Sequence, residues 1–153
     1  MQAYVNDLDM DKITVIDYNG QSQEYSVRDI INVDEMNYQI EVINQPAKYA
    51  YWSSVLQAAK RVEAEQQASL DKQHALSYNK VYDELSKQGI RATKDLIEAQ
   101  IEQDPDYEKA KQRVVVADYS AGRIQYLVKA LEQRANMLIQ LGADIRKDRN
   151  YGN

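Results

Sequence analysis

From Ala110 to Ile145, apolar or small residues recur at Ala110, Val114, Ala117, Ala121, Ile124, Val128, Leu131, Ala135, Leu138, Gly142 and Ile145, in steps of four and three without a break. That spacing lays the side chains along one narrow stripe and predicts the seam of a coiled coil rather than the broader face of a globular-core helix. At about 1.5 Å per residue the stretch makes a rod of roughly 54 Å, and a seam of that length needs a second long helix to cover it.

The second helix is read from Pro46, which suits a first turn, through Ala47 to about Lys87. Its stripe is Val55, Ala59 and Val62, then, past a polar gap around Gln66 and Ser69, Leu70, His74, Tyr78, Val81 and Leu85. Gly89 is placed to stop it in the left-handed conformation. Thr93 caps a short helix carrying Leu96, Ile97 and Ile101, and Asp104-Pro105 caps and starts the last one. Two long helices joined by so short a connection fold back antiparallel.

Upstream, Ile13-Thr14-Val15-Ile16-Asp17-Tyr18 runs into Asn19-Gly20, the dipeptide suited to a two-residue turn, and Glu24-Tyr25-Ser26-Val27 is the return strand. Asn32-Val33-Asp34-Glu35 reads as a capping box that opens a short helix with Met36, Ile40 and Ile43 on one face. Met1 to Asp11, polar and acidic, reads as mobile. The expected fold is mostly α: a long antiparallel, coiled-coil-like helical hairpin with a short connecting helix, a small N-terminal β-hairpin and a short helix. An acidic segment, residues 1–45 (hairpin 13–27, helix 33–43), precedes the helical hairpin, residues 46–149 (helices 46–88, 94–103 and 105–147).

Composition removes several chemistries. Without Cys, and with His74 as the single His, neither disulfides nor the usual thiolate or His-based zinc sites can form within one chain. The five glycines are dispersed, so no phosphate-cradling loop exists. Glu102, Asp104, Asp106 and Glu108 crowd a helix start, where the dipole attracts carboxylates, and they lack the glycine and distal Glu of a calcium loop. His74, on the helix stripe, reads as packed and hydrogen-bonded rather than as a base. The reading is a protein without enzymatic activity, metal or cofactor. No apolar run approaches the roughly 20 residues of a membrane span, and residues 1–11 resemble no signal peptide.

The net charge of −5 divides unevenly. Residues 1–45 hold two basic and nine acidic side chains, a net −7, which leaves +2 for the remainder. The turn of the hairpin, residues 83–108, is acidic, with eight acids against three bases, so the expected rod is polarised. Its opposite end carries Lys48, Tyr49, Tyr51, Trp52, Lys60 and Arg61, and antiparallel packing is expected to add Arg134, Arg146, Lys147 and Arg149. Cations interleaved with aromatic faces suit a single strand of nucleic acid, the cations following phosphates and the rings stacking on bases. Packing is the preferred role for Trp52 taken alone.

Three stretches resemble the UvsY-type recombination mediators of tailed phages: Glu41-Val42-Ile43-Asn44-Gln45-Pro46-Ala47-Lys48-Tyr49-Ala50-Tyr51-Trp52, the run from Asp95 to Tyr107 with its Asp104-Pro105, and the final helix from Ala130 to Arg146. The resemblance spans roughly residues 30–149. It implies a ring-like homo-oligomer in the cytoplasm of an infected bacterial host that binds single-stranded DNA and helps load a phage or host recombinase onto strands covered by single-strand binding protein, without hydrolysing ATP. In that family basic residues of the first long helix contribute to DNA binding; here the middle of that helix offers Lys72 and Lys80, beside Asp71 and Asp83. The alternative is a structural or adaptor coiled-coil protein of a phage that acts through protein contacts alone.

Overall fold

The computed structural model describes residues 1–5, 9, 11–17 and 19–151, without the side chains of Tyr4, Val5, Arg149, Asn150 and Tyr151. In chain order the elements are strands β1 (Gln2–Val5), β2 (Lys12–Ile16) and β3 (Ser22–Ser26), helix α1 (Val27–Ile31), a 3-10 turn (Glu35–Asn37), and helices α2 (Tyr38–Lys87), α3 (Lys94–Ile101) and α4 (Pro105–Tyr151). The chain divides into two compact units, one formed by residues 1–59 and 120–153 and the other by residues 60–119.

In the first unit the strands form an antiparallel sheet in the order β1-β2-β3. Ile13 and Val15 alternate onto its buried face. The β2–β3 turn is one residue longer than expected: the Asp17 amide donates to the Gln21 carbonyl (3.0 Å) and the Gly20 amide to the Asp17 carbonyl (3.2 Å). Gly20, at φ 79°, takes the left-handed conformation, which glycine adopts without steric cost. The expectation of a mobile N-terminus is overturned for β1, which pairs along β2 with Gln2 opposite Ile16 and Val5 opposite Ile13; the rest of that expectation, residues 6–8 and 10, lies outside the described residues.

β3 ends where α1 begins. Ser26 caps α1 by accepting from the Asp29 amide, and Asp11 reaches across to accept from Ser26 Oγ (2.9 Å) and the Arg28 amide (2.8 Å). Those two bonds hold the Asp11 carboxyl below its ordinary value. The expected capping box is also displaced. Asn32 is the C-cap of α1, and Asp34 caps the 3-10 turn through the Met36 amide.

The expected short helix 33–43 and the expected long helix from Pro46 are one helix, with Pro46 inside it. A proline there removes one helical hydrogen bond and disfavours helical backbone at Gln45 before it. Gln45 is anchored by its side chain, which is buried, donates to the Leu131 carbonyl (2.7 Å) and accepts from Arg134. This tertiary hold offsets the local preference.

α2 and α4 run antiparallel in this unit, with Tyr38 bonded to the Leu138 carbonyl and Gln45 to that of Leu131. The inward positions of α2 are Tyr38, Glu41, Gln45, Lys48, Trp52, Val55 and Ala59, again in steps of three and four. Of the predicted α4 seam, Ala121, Ile124, Val128, Leu131 and Leu138 are buried here, and Ala135 and Ile145 half-buried. The stripe is wider than a bare coiled-coil seam. Ser120, Leu127 and Arg134, seven residues apart, form an additional buried column, and Leu127 belongs to a core that also takes in the sheet residues Ile13 and Val15 and Ile30 of α1.

The second unit contains the later half of α2, α3 and the first turns of α4. Val81, Leu85, Ile97 and Ile101 form its core, with Tyr78, Leu96 and Tyr107 packed against them. Ala110 and Ala117 of the α4 seam are buried and Val114 is half-buried. Gly89, at φ 70°, ends α2 as predicted: its amide donates to Ser86 and that of Ile90 to Leu85, the bond pair of a Schellman cap. Thr93 caps α3 through the Leu96 amide.

Candidate nucleic-acid interface

The predicted patch at Lys48–Trp52 is engaged internally. Trp52 is buried, with the rings of Tyr25 and Tyr51 edge-on at 5.2 and 5.3 Å. It packs in the sheet-side core and presents no face on which a base could stack. Tyr51 and Tyr25 share a hydroxyl–hydroxyl bond of 2.9 Å, and burial followed by that bond pushes the Tyr51 phenol up to about 12. Tyr49 donates to Glu132 (3.0 Å). Lys48 lies 3.5 Å from Glu41. The groove beside Trp52, of about 570 Å³, is lined by Glu24 and Asp29 as well as Lys48, a mixed surface that repels phosphate as much as it attracts it.

Arg134 is not a surface cation. Its side chain is 2% exposed and spends its donors on the Asn32 carbonyl, through Nε (3.2 Å) and Nη2 (3.0 Å), on Gln45 Oε1 and on Glu41 Oε2. Burial alone would raise the Glu41 carboxyl, but the Arg134 guanidinium and then the Lys48 ammonium outweigh it and hold it below its ordinary value. The layer Glu41–Gln45–Arg134 is structural, and the expectation of Arg134 as a DNA-facing surface cation is corrected by its burial.

Arg146 and Lys147 are exposed, Lys147 at 3.6 Å from Asp144. The register that sets Glu132 beside Tyr49 leaves Arg146 fourteen residues further along α4, about 21 Å from that level, so the structure does not gather it with Lys48. The side chain of Arg149 lies outside the described residues. In the second unit Lys60, Arg61, Lys72 and Lys80 are all exposed, Arg61 pairing with Glu65 at 3.5 Å.

A combination not singled out from sequence stands on α4. Tyr126, 72% exposed, is the most open aromatic side chain among the described residues, with the Lys129 ammonium 5.8 Å from its ring centre. Both residues fall off the three-four stripe and off the buried column Ser120, Leu127 and Arg134. An open ring with a cation one turn on has the chemistry to stack a base and meet a phosphate.

The acidic cluster at the start of α4 has its own partners. Asp104 accepts from Ser77 Oγ (2.5 Å) and the Asp106 amide (2.9 Å), which together hold its carboxyl low, while Glu102 pairs with Lys111 at 2.7 Å and Asp106 with Lys109 at 3.4 Å. His74 Nε2 meets Glu98 Oε2 at 2.9 Å, with the Tyr107 ring at 5.7 Å, tying α2 to α3. Among the described residues no group of His, Asp and Glu is arranged to hold a metal, and no helix is long and apolar enough to cross a membrane.

No family model, curated protein or solved structure matches this chain.

Proposed function

We propose that this protein is a non-enzymatic, homo-oligomeric recombination mediator of the UvsY type: it binds single-stranded DNA and promotes loading of a phage or host recombinase onto strands covered by single-strand binding protein, in the cytoplasm of the infected host. The observation that carries the reading is Tyr126 with Lys129, an exposed ring and a cation beside it on α4. Repeating that pair around an assembly multiplies a weak contact into many linked ones. The helical-hairpin architecture agrees with the resemblance, and two of its three stretches supply the Glu41–Gln45–Arg134 layer that sets the pairing of α2 with α4.

The test is recombinase filament assembly on a strand precoated with single-strand binding protein. Added mediator shortens the lag, whereas the double variant Tyr126→Ala, Lys129→Glu leaves it unchanged. If wild-type protein gives no shortening with the recombinase of its own phage or host, the loading reading fails. The second reading, an adaptor that works through protein contacts alone, draws on the exposed face of α2 from Ile40 to Ser54, which carries no charged residue.

A further inference from the structure

α2 carries two stripes in the first unit, and only one of them is covered. The inward stripe meets α4. The other runs from Met36, in the 3-10 turn just before α2, through Ile40, Ile43, Ala47, Ala50 and Ser54 of α2, in steps of four, three, four, three and four, and every residue in it is exposed, Met36 at 94%, Ile43 at 75% and Ile40 at 57%. From Ile40 to Ser54, about 21 Å of helix, this is the spacing of a second coiled-coil seam, left uncovered by the described residues. We propose that this stripe pairs antiparallel with the same stripe of a second copy of the chain, about a two-fold axis beside Gln45.

Charge selects the occupant. The chain is 28% charged, yet the 24 residues from Met36 to Ala59 include only Glu41 and Lys48, and these face inward onto each other and Arg134. The positions flanking the stripe are Asn37, Gln39, Asn44, Pro46, Tyr51 and Ser53, all uncharged. A nucleic acid requires cations, and a charged peptide requires the opposite charge; this face offers neither. A copy of itself meets no charge along the stripe; Glu24 and Asp29, which line a groove with Ala47, stand at its edge.

Shape selects the direction. The stripe tapers from large residues to small ones, and turning one copy end for end sets Met36 over Ser54, Ile40 over Ala50 and Ile43 over Ala47. Each bulky side chain then faces a small one, the alternation that lets two helices pack without voids or clashes. The contact is isologous, since each pairing occurs twice across the axis. Parallel pairing would stack Met36, Ile40 and Ile43 on their own copies and leave the small residues facing each other. The inference deepens the assembly part of the proposed function by naming a contact behind it. Its tests read subunit mass and cross-links rather than DNA, so the two can fail separately.

The chain has no cysteine, so introduced ones report cleanly. Ile40→Cys and Ala50→Cys proteins, mixed under reducing conditions and then oxidised, are expected to give a disulfide-linked dimer, while neither gives one alone. Linking by either protein alone, or no linking in the mixture, would overturn the antiparallel pairing. Separately, sedimentation of Met36→Glu, Ile43→Glu is expected to show at least a tenfold rise in the concentration at which the protein associates, with helical circular dichroism unchanged because both residues are open to solvent. Unaltered association in that variant, or a wild-type protein that stays monomeric at high concentration, would refute the contact.

Discussion

Arg134 of α4 and Glu41 of α2 form a buried ion pair 93 residues apart in sequence, and the same guanidinium holds the Asn32 carbonyl and the Gln45 amide oxygen. Removing one member of such a pair strands the other. Arg134→Met is expected to cost about 3 kcal/mol, the lower end for a buried pair because Lys48 stays near Glu41. Adding Glu41→Leu should recover most of the loss. Urea denaturation of the two single variants and the double measures both; a double variant no better than Arg134→Met would show that the layer acts through Asn32 and Gln45 alone.

The same pair sets a pH dependence. The Glu41 carboxyl is held below its ordinary value, so its contribution to stability is complete above that value and is lost as pH falls through the lower, folded-state value. Glu41→Gln is therefore expected to flatten the acid limb of the stability curve below about pH 4.5, the ordinary value for a glutamate. An acid limb identical to wild type would assign the dependence to other carboxylates.

At the alkaline end Tyr51 is the reporter. Its hydroxyl is raised to about 12 by burial and then by Tyr25, so this phenol contributes stability that is complete below the ordinary 10 and lost as pH rises through 12. Spectrophotometric titration should show a tyrosine ionising late, and Tyr25→Phe should bring that transition earlier by removing the hydroxyl bond. A late transition that ignores Tyr25→Phe would belong to another tyrosine.

Gly142 lies under Tyr38. A methyl group there would overlap the Tyr38 hydroxyl and ring, and Tyr38 is tied by its 3.0 Å bond to the Leu138 carbonyl. Gly142→Ala is expected to lower stability by about 1–2 kcal/mol, as overpacking does, even though alanine is the better helix former. A thermal melt unchanged or raised would mean that the ring swings away freely.

The long helices were legible in the sequence because their signals are local: the three-four spacing of α4, the capping Asp104-Pro105 and Thr93, and the stop at Gly89. What was not legible depends on partners far along the chain. Arg134 reads as a surface cation until Glu41, Gln45 and Asn32 surround it. Pro46 reads as a helix start until Gln45 is anchored on α4. Leu127 falls outside a two-position seam and is buried because the core extends to the sheet. β1 is too short to show a strand pattern of its own, and its definition comes from β2. For the candidate interface, the aromatic run at Tyr49–Trp52 is engaged in contacts within the fold, whereas Tyr126 stands open.

Lys60 and Arg61 remain exposed members of the predicted interface. Lys60→Glu with Arg61→Glu is expected to weaken single-strand binding several-fold and to lower its salt dependence, with the assembly mass unchanged. Undiminished affinity would take these two residues out of the interface.

The most direct measurement is an anisotropy titration of labelled single-stranded and duplex oligonucleotides at two salt concentrations, with wild-type protein and with Tyr126→Ala, Lys129→Glu. The account predicts a preference for the single strand that weakens steeply with salt and falls at least tenfold in the variant. No binding by folded, assembled wild-type protein at low salt, or equal binding by the variant, would contradict it.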